Sequence, residues 1–358
     1  MPHPDICIAG AGIIGLSLAL ELHHRGARVT VLERDSALRH ASIAAAGMLA
    51  AHDPENPPAL RLLSELSIDL YPSHLARIEQ LSGLAVPFQT NTTLQFHPSY
   101  TKTLGSSLTS HLTPGDRHFT VFTEHSIDPR QLAAALLAAV RNTSIQLIEH
   151  TILRVASETS HGIHLDTTNG VLNTERLVYT LGAWSFAPVT PRKGQMLLVA
   201  LPPTLPLREV IRTPEIYIVP RTQGPRTGNA LIGATVEDVG FDTATHPEDL
   251  AHLRALAAQL LPPLADEILC PAIDQWAGLR PATPDYLPLL GRLSEASNQF
   301  LATGHYRNGI LLAPATAHVI TQLLCDESPA VDLASFSPSR IQMKEDIAQP
   351  YRYSPIES

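Results

Sequence analysis

Residues 5–33 read DICIAGAGIIGLSLALELHHRGARVTVLE, and the order of the chemistry in that stretch decides the fold. Asp5 to Ala9 is a short, mostly apolar run of strand type, and Ile13 to Arg25 has helical periodicity, so the glycines between them fall at a strand-to-helix turn. Gly10 permits the tight turn, Gly12 lets the backbone approach a pyrophosphate, and Gly15 lets the helix pack closely on the strand. Phosphates are favoured at the helix N-terminus, where free N–H groups and the macrodipole meet them. A second strand, Arg28 to Leu32, closes on Glu33, an acid placed to accept from ribose hydroxyls. Strand, glycines, helix, second strand and acid together predict a Rossmann-type dinucleotide site in an α/β protein.

Two distant segments extend that reading. Gly304-His305-Tyr306-Arg307-Asn308-Gly309-Ile310 places an arginine in a glycine-flanked turn, and Trp276-Ala277-Gly278-Leu279-Arg280-Pro281 places another behind an apolar lead-in. A guanidinium with a buried stem needs an anion. A substrate carboxylate matches its fork, and Asp285 is the internal alternative. Ala44-Ala45-Ala46-Gly47-Met48, within Ser36 to Ala51, has almost no side-chain bulk. It would let backbone lie against a flat ring, or it is simply the start of an alanine-rich helix. Tyr217 is either a core tyrosine with its hydroxyl at the rim or part of a pocket.

Composition narrows the function classes. A chain of 358 residues, 44% hydrophobic and 16% charged, has ample core for one large or two interleaved domains. A net charge of -9 without a Lys/Arg-rich run argues against nucleic acid as a partner. Cys7, Cys270 and Cys325 lack paired spacing and fit a reducing compartment; no secretory pattern and no membrane-spanning apolar run is read, so a cytoplasmic protein away from the membrane is expected. The histidines are scattered without partners at ligand spacing, so no metal site is expected. The prolines cluster in connections such as Asp53 to Pro58, which read as stiff loops.

Further along, Leu60 to Leu81 reads as helix with a break or kink at Pro72, and Val86 to Phe122 as an antiparallel region of short strands. Asp128 is a candidate N-cap, with Pro129 at the first position of a helix running to Val140. Strands are predicted at Ile145 to Ile148, Ile152 to Ala156, Gly162 to Asp166, Arg176 to Gly182, Gln195 to Ala200, Tyr217 to Pro220, Ala230 to Thr235 and Phe300 to Thr303. Helices are predicted at Pro247 to Leu261 and Ala313 to Leu324, the second with Pro314 just inside its start. The polar tail from Ser335 reads as peripheral.

In their order these motifs resemble the D-amino-acid oxidase family of FAD-dependent enzymes, within it most the members that oxidise glycine and supply dehydroglycine to thiazole synthesis in thiamine formation. The resemblance covers roughly residues 5 to 325. Its specific parts are the glycine turn, Ala44 to Leu49, Gly182-Ala183-Trp184-Ser185, Gly194-Gln195-Met196, Tyr217-Ile218-Val219-Pro220-Arg221, Gly233-Ala234-Thr235, Trp276 to Pro281 and Gly304 to Leu311. With the strand pattern it predicts a mixed α/β protein. A Rossmann-type FAD-binding domain from residues 1–84, 126–190 and 276–335 is interleaved with an antiparallel β-sheet substrate domain from 85–125 and 191–275, and 336–358 form a peripheral tail.

Residue by residue, the resemblance implies that Gly10, Gly12, Ile13, Ile14, Gly15, Glu33 and Arg34 serve the adenosine and pyrophosphate, with Ile152 a backbone contact to adenine. Ser42, Ala46, Gly47 and Met48 would line the flavin and Gly182 would lie beside it. His305, Tyr306, Arg307, Asn308, Gly309, Ile310 and Leu311 would wrap the pyrimidine end of the ring. Arg280 and Arg307 would bind the substrate carboxylate, with Tyr217 closing the pocket and Met48 beside the substrate. Ile43 and Ala282 depart from the pattern close to the site and bear on the choice of substrate. The implied reaction is oxidation of glycine, sarcosine or a short D-amino acid to the imine, with oxygen as acceptor and hydrogen peroxide as product. No residue is assigned as catalytic acid or base, because a neutral amine needs none when a flavin takes the hydride. FAD is expected to be non-covalent, since no cysteine lies in a flavin motif. A homo-oligomer and hand-over of the imine to a thiazole synthase are left open, as are a dehydrogenase passing electrons to another acceptor and a nucleotide-binding regulator. The last leaves the Arg280 and Arg307 segments unexplained.

Overall fold

The computed structural model describes residues 5–96, 112–113 and 118–341. The chain opens with β1 (Asp5–Ala9), α1 (Ile13–His24) and β2 (Arg28–Leu32), and the two strands pair in parallel, as a helical crossover allows. The alanine-rich stretch makes only one turn, α2 (Ala41–Ala44), before the backbone becomes extended at Ala45. α3 (Arg61–Ser82) runs without interruption through Pro72, where a break or kink was predicted. Pro72 sits on the exposed face, where water can take the carbonyl its ring leaves free.

β3 (Thr93–Phe96) and β4 (Phe119–Phe122) pair antiparallel; most of the predicted antiparallel stretch between them lies outside the described residues. α4 (Pro129–Arg141) begins as its sequence dictates, with the Asp128 carboxylate accepting from the Arg130 N–H. β5 (Gln146–Ile148), β6 (Leu153–Thr159), β7 (Gly162–Thr167), β8 (Gly170–Thr174) and β9 (Arg176–Tyr179) follow. Then come β10 (Thr190–Ala200), β11 (Val210–Arg212), β12 (Tyr217–Arg221), β13 (Asn229–Gly233), α5 (Pro247–Leu260) and β14 (Ala272–Ala282). β15 (Leu289–Arg292), β16 (Gln299–Thr303) and α6 (Gly309–Leu324) complete the set.

One sheet has the order β15-β16-β9-β1-β2-β5, parallel from β16 to β5, with β15 antiparallel at its edge. A second, β14-β10-β13-β12-β11-β3-β4, is antiparallel except where β11 meets β3. A third, β6-β7-β8, is a small meander. β14 pairs with β10 over its whole length and so crosses residue 276, where the predicted domain boundary falls. The main core packs α1, α3, α4 and α6 on the parallel sheet.

α6 differs from its sequence reading. It starts at Gly309, not Ala313, so Pro314 stands inside it. A proline there cannot donate to the Ile310 carbonyl, and its ring crowds that turn. α3 closes the gap: the Tyr71 hydroxyl donates to the Ile310 carbonyl, while Ser67 donates to the Leu311 carbonyl and accepts from the Ala315 N–H. The tail reading is also corrected for residues 336–341. Phe336 is buried in the main core and Arg340 pairs with Asp285 at 2.8 Å, so the chain stays attached past Ser335. Among the described residues no helix is long and apolar enough to cross a membrane.

Candidate active site

Two cavities meet at the N-terminus of α1. The larger, about 300 Å³, runs from Gly12, Ile13 and Ile14 past Ala46, Gly47 and Met48 to Tyr217, Arg280 and Arg307. The smaller, about 80 Å³, is lined by Gly10, Glu33, Arg34 and Trp184. Gly12, Ala41, Ser42, Thr180 and Gly182 border both. The two spaces therefore share a wall at the helix terminus.

The residues at this shared wall fit FAD. Gly10 has φ +110, and a Cβ on Gly15 would lie 2.0 Å from the Gly10 carbonyl oxygen, so the turn holds its shape only with glycine at both places. α1 has no side-chain cap and no acid in its first turn, which leaves its terminal N–H groups for an anion apart from Ile13, whose N–H donates to Ser42. Glu33 accepts from the N–H groups of Ala11 and Asp35, so its carboxylate is fixed at the edge of the smaller cavity. Arg34 lies 4.2 Å over the Trp184 ring on the same wall.

The wall from Ala44 to Leu49 is held by its backbone. Trp276 Nε1 donates to the Ala44 carbonyl, Arg221 to the Ala46 carbonyl, and the Leu49 N–H to the His125 carbonyl. Gly47 has φ +86, and a side chain there would meet the Ile127 carbonyl oxygen at 2.1 Å. Low bulk in this run thus serves close backbone approach, not helix formation.

On the far wall, Arg280 leaves β14 and lies flat over Gly194 of β10, where a Cβ would come within 2.2 Å of the guanidinium. Its Nη1 donates to the carbonyls of Lys193 and Thr235. Asp285, the internal partner considered from sequence, is taken by Arg340. Among the described residues no carboxylate stands within ion-pair distance of Arg280. The Tyr217 hydroxyl meets Arg280; burial pushes its pKa up while the arginine pulls it down, and the net shift is upward. The phenol therefore stays protonated at neutral pH.

Arg307 stands differently. It lines the cavity but is paired to Glu55 at 2.7 Å and Asp53 at 3.4 Å, both in the proline-rich loop read from sequence as a stiff connection. His305 is buried, its Nε2 lies 3.0 Å from Thr316 Oγ1, and burial pushes its pKa down to about 3, which fits a structural place and not proton transfer. Tyr306, Asn308, Gly309 and Ile310 line the cavity, and Asn308 donates to Asn56 of the loop. Leu311 and Gly15 pack behind it. Ile152 borders neither cavity; its N–H donates to Thr168 Oγ1 and its carbonyl accepts from the Thr168 N–H.

Sequence reasoning missed Arg212, on β11. It is 4% exposed, lines the cavity, and is paired to Glu124 at 3.1 Å and Asp53 at 3.7 Å. Nothing in Val-Ile-Arg-Thr-Pro distinguishes it from a surface arginine; only its two-residue spacing from Val210, which puts both on one face of the strand, hints at an inward side chain.

Comparison with known proteins gives a consistent answer. A family profile described as FAD dependent oxidoreductase matches residues 5–323. The bifunctional protein ThiO/ThiG of Trichormus variabilis is 36% identical over 98% of this chain, which spans 57% of that protein's length. The glycine oxidase of Pseudomonas aeruginosa is 31% identical over 93% of this chain and 98% of its own. The crystal structure of glycine oxidase from Geobacillus kaustophilus superimposes with a TM-score of 0.85 at 29% identity, covering 96% of this chain and all of that one.

Proposed function

From the premise that this chain belongs to the family of FAD-dependent oxidoreductases, we propose that it is an amino-acid oxidase of the glycine oxidase type and that its substrate is glycine, or a small amine such as sarcosine or a short D-amino acid. The observation that carries the reading is Arg280, the arginine of the cavity that has no acidic partner among the described residues and is laid flat on Gly194. A guanidinium whose Nη1 is spent on two carbonyls keeps the rest of its fork for a carboxylate.

FAD, when bound, supplies the two-electron acceptor, and oxygen then takes the electrons to give hydrogen peroxide while the amino acid leaves as the imine. The protein's own contribution is orientation. Arg280 fixes the carboxylate, and Tyr217 presents a protonated hydroxyl beside it. His305, neutral and bound to Thr316, does not compete for the amine proton. The same reading assigns Gly12, Ser42, Glu33 and the Ala46 to Met48 wall to the cofactor. It assigns the parallel sheet with its helices to FAD binding and the antiparallel sheet to the substrate. Delivery of the imine to a thiazole synthase belongs to this reading, supported by the likeness to bifunctional ThiO/ThiG chains.

Arg280→Ala and Arg280→Lys, assayed by peroxide formation with each small amine, test it. Misplacement of the reacting carbon by about 1 Å costs roughly 100-fold, so kcat/KM should fall by about that factor in both variants with FAD content near wild type. Wild-type efficiency in Arg280→Ala, or no peroxide from any small amine with the unmodified protein, would overturn the assignment.

A further inference from the structure

Arg212 and Arg307 converge on one oxygen. Asp53 Oδ2 lies 3.7 Å from Arg212 Nε and 3.4 Å from Arg307 Nη2, and the Asp53 side chain is 10% exposed. Its other oxygen accepts from the Glu55 N–H, so the carboxylate is held from both ends. Arg212 also meets Glu124 and Gln95, yet its Nη1 is buried with no hydrogen-bond partner among the described residues. Arg307 has Glu55 besides Asp53. Two guanidiniums therefore face three carboxylates, all in or behind the cavity wall that continues to Arg280.

We propose that Asp53 is a specificity-determining residue: it occupies, with a carboxylate from the protein, the position where a second carboxylate of the substrate would bind, and so restricts the pocket to monocarboxylate amines. The inference rests on the reading of Arg280 as the anchor for the first carboxylate. Without Asp53, Arg212 keeps Glu124 and Arg307 keeps Glu55, but the carboxylate that links the two guanidiniums is gone and Arg212 Nη1 still lacks a partner, so the vacated place suits the oxygen pair of a ligand. With Asp53 in place a second carboxylate that reaches this wall meets a like charge inside a partly desolvated pocket, where Coulomb repulsion is several times stronger than in water. Glycine and sarcosine present one carboxylate and escape this penalty. An N-carboxymethyl amine such as iminodiacetate presents two.

The test compares FAD-loaded wild type, Asp53→Ala, Asp53→Asn and Asp53→Glu on glycine, sarcosine and iminodiacetate, and titrates acetate and malonate by their perturbation of the flavin absorption. The ratio of kcat/KM for iminodiacetate over glycine should rise roughly tenfold or more in Asp53→Ala, with malonate binding tightened relative to acetate by a similar factor. Asp53→Asn, which can keep an acceptor for the Glu55 N–H, should shift the same way and serves if the alanine variant does not fold. Asp53→Glu should stay with the wild type. A wild type that already prefers iminodiacetate, ratios unchanged in both neutral variants, or a glutamate variant that shifts as far as alanine would each overturn the inference. If no amine is oxidised by the wild type, the failure lies with the proposed function, and the acetate and malonate titrations still decide the role of Asp53.

Discussion

Gly194 shows how one missing methyl group can serve a site without serving the fold. Its backbone is ordinary strand, so alanine brings no strain there, and the atoms it would strike belong to the movable end of Arg280. We expect Gly194→Ala to keep its melting temperature within a few degrees and its FAD content, while kcat/KM falls roughly 100-fold because the guanidinium is displaced. Equal activity in that variant would mean Arg280 does not act from over Gly194. Gly47→Ala should behave in the opposite way. With φ +86 and the Ile127 carbonyl oxygen 2.1 Å from the new Cβ, it should lose roughly 1–3 kcal/mol in chemical denaturation, together with cofactor. At this scale the sequence was legible wherever a residue's role is set by its immediate neighbours, as for Gly10, Gly15 and Asp128. It was illegible where the role depends on a partner far along the chain. Arg307 is paired to Asp53 and Glu55, and Arg212 to Glu124, across gaps that no local pattern spans.

Among the elements, α6 and α3 form a dependent pair. Pro314 removes a rung of α6, and the hydroxyls of Tyr71 and Ser67 replace it from α3. Tyr71→Phe should cost about 1–3 kcal/mol by leaving the buried Ile310 carbonyl unsatisfied. In a Pro314→Ala background, where residue 314 can donate to that carbonyl itself, the same change should cost measurably less. A double-mutant cycle read by urea denaturation checks this, and strict additivity would show that the tyrosine does not compensate for the proline. The predicted start at Ala313 failed for the same physical reason: proline is over-represented in the first turn of helices, and a buried exception such as Pro314 needs donors on another helix. β8 was missed because its five residues are mostly exposed and alternate weakly, its pairing with β7 supplying what periodicity does not.

For the molecule as a whole, two buried histidines tie stability to acid. His74, between α1 and α3 and 3.4 Å from Ser17, has its pKa pushed down to about 4 by burial, with Arg77 adding to the effect, and His305 is pushed down to about 3. Both are therefore neutral when folded and take a proton more readily when unfolded. As pH falls below the ordinary 6.5, the unfolded state gains protons first, so stability is full above that value and declines toward pH 4. The decline should approach about 1.4 kcal/mol per pH unit for each histidine. Carboxylates such as Glu21, where burial is outweighed by Arg77, lose their contribution at lower pH still. Urea midpoints of the holoenzyme at pH 7 and pH 5 should differ accordingly, and His74→Gln should remove roughly half of the slope; an unchanged slope would show that His74 is not buried neutral. The parallel sheet bears on another aspect of the molecule's life. Its inner strands come from both ends of the chain, β1 lying between β2 and β9, and β9 pairing on its other side with β16. Synthesis delivers β1 and β9 before β16, so a nascent chain carries an apolar strand edge without its neighbour until β16 is made. If the segment after β16 holds the cofactor together with the glycine turn, as proposed above, capture has to wait until both stretches have been made, so the first motif of the site stands ready long before the last one arrives.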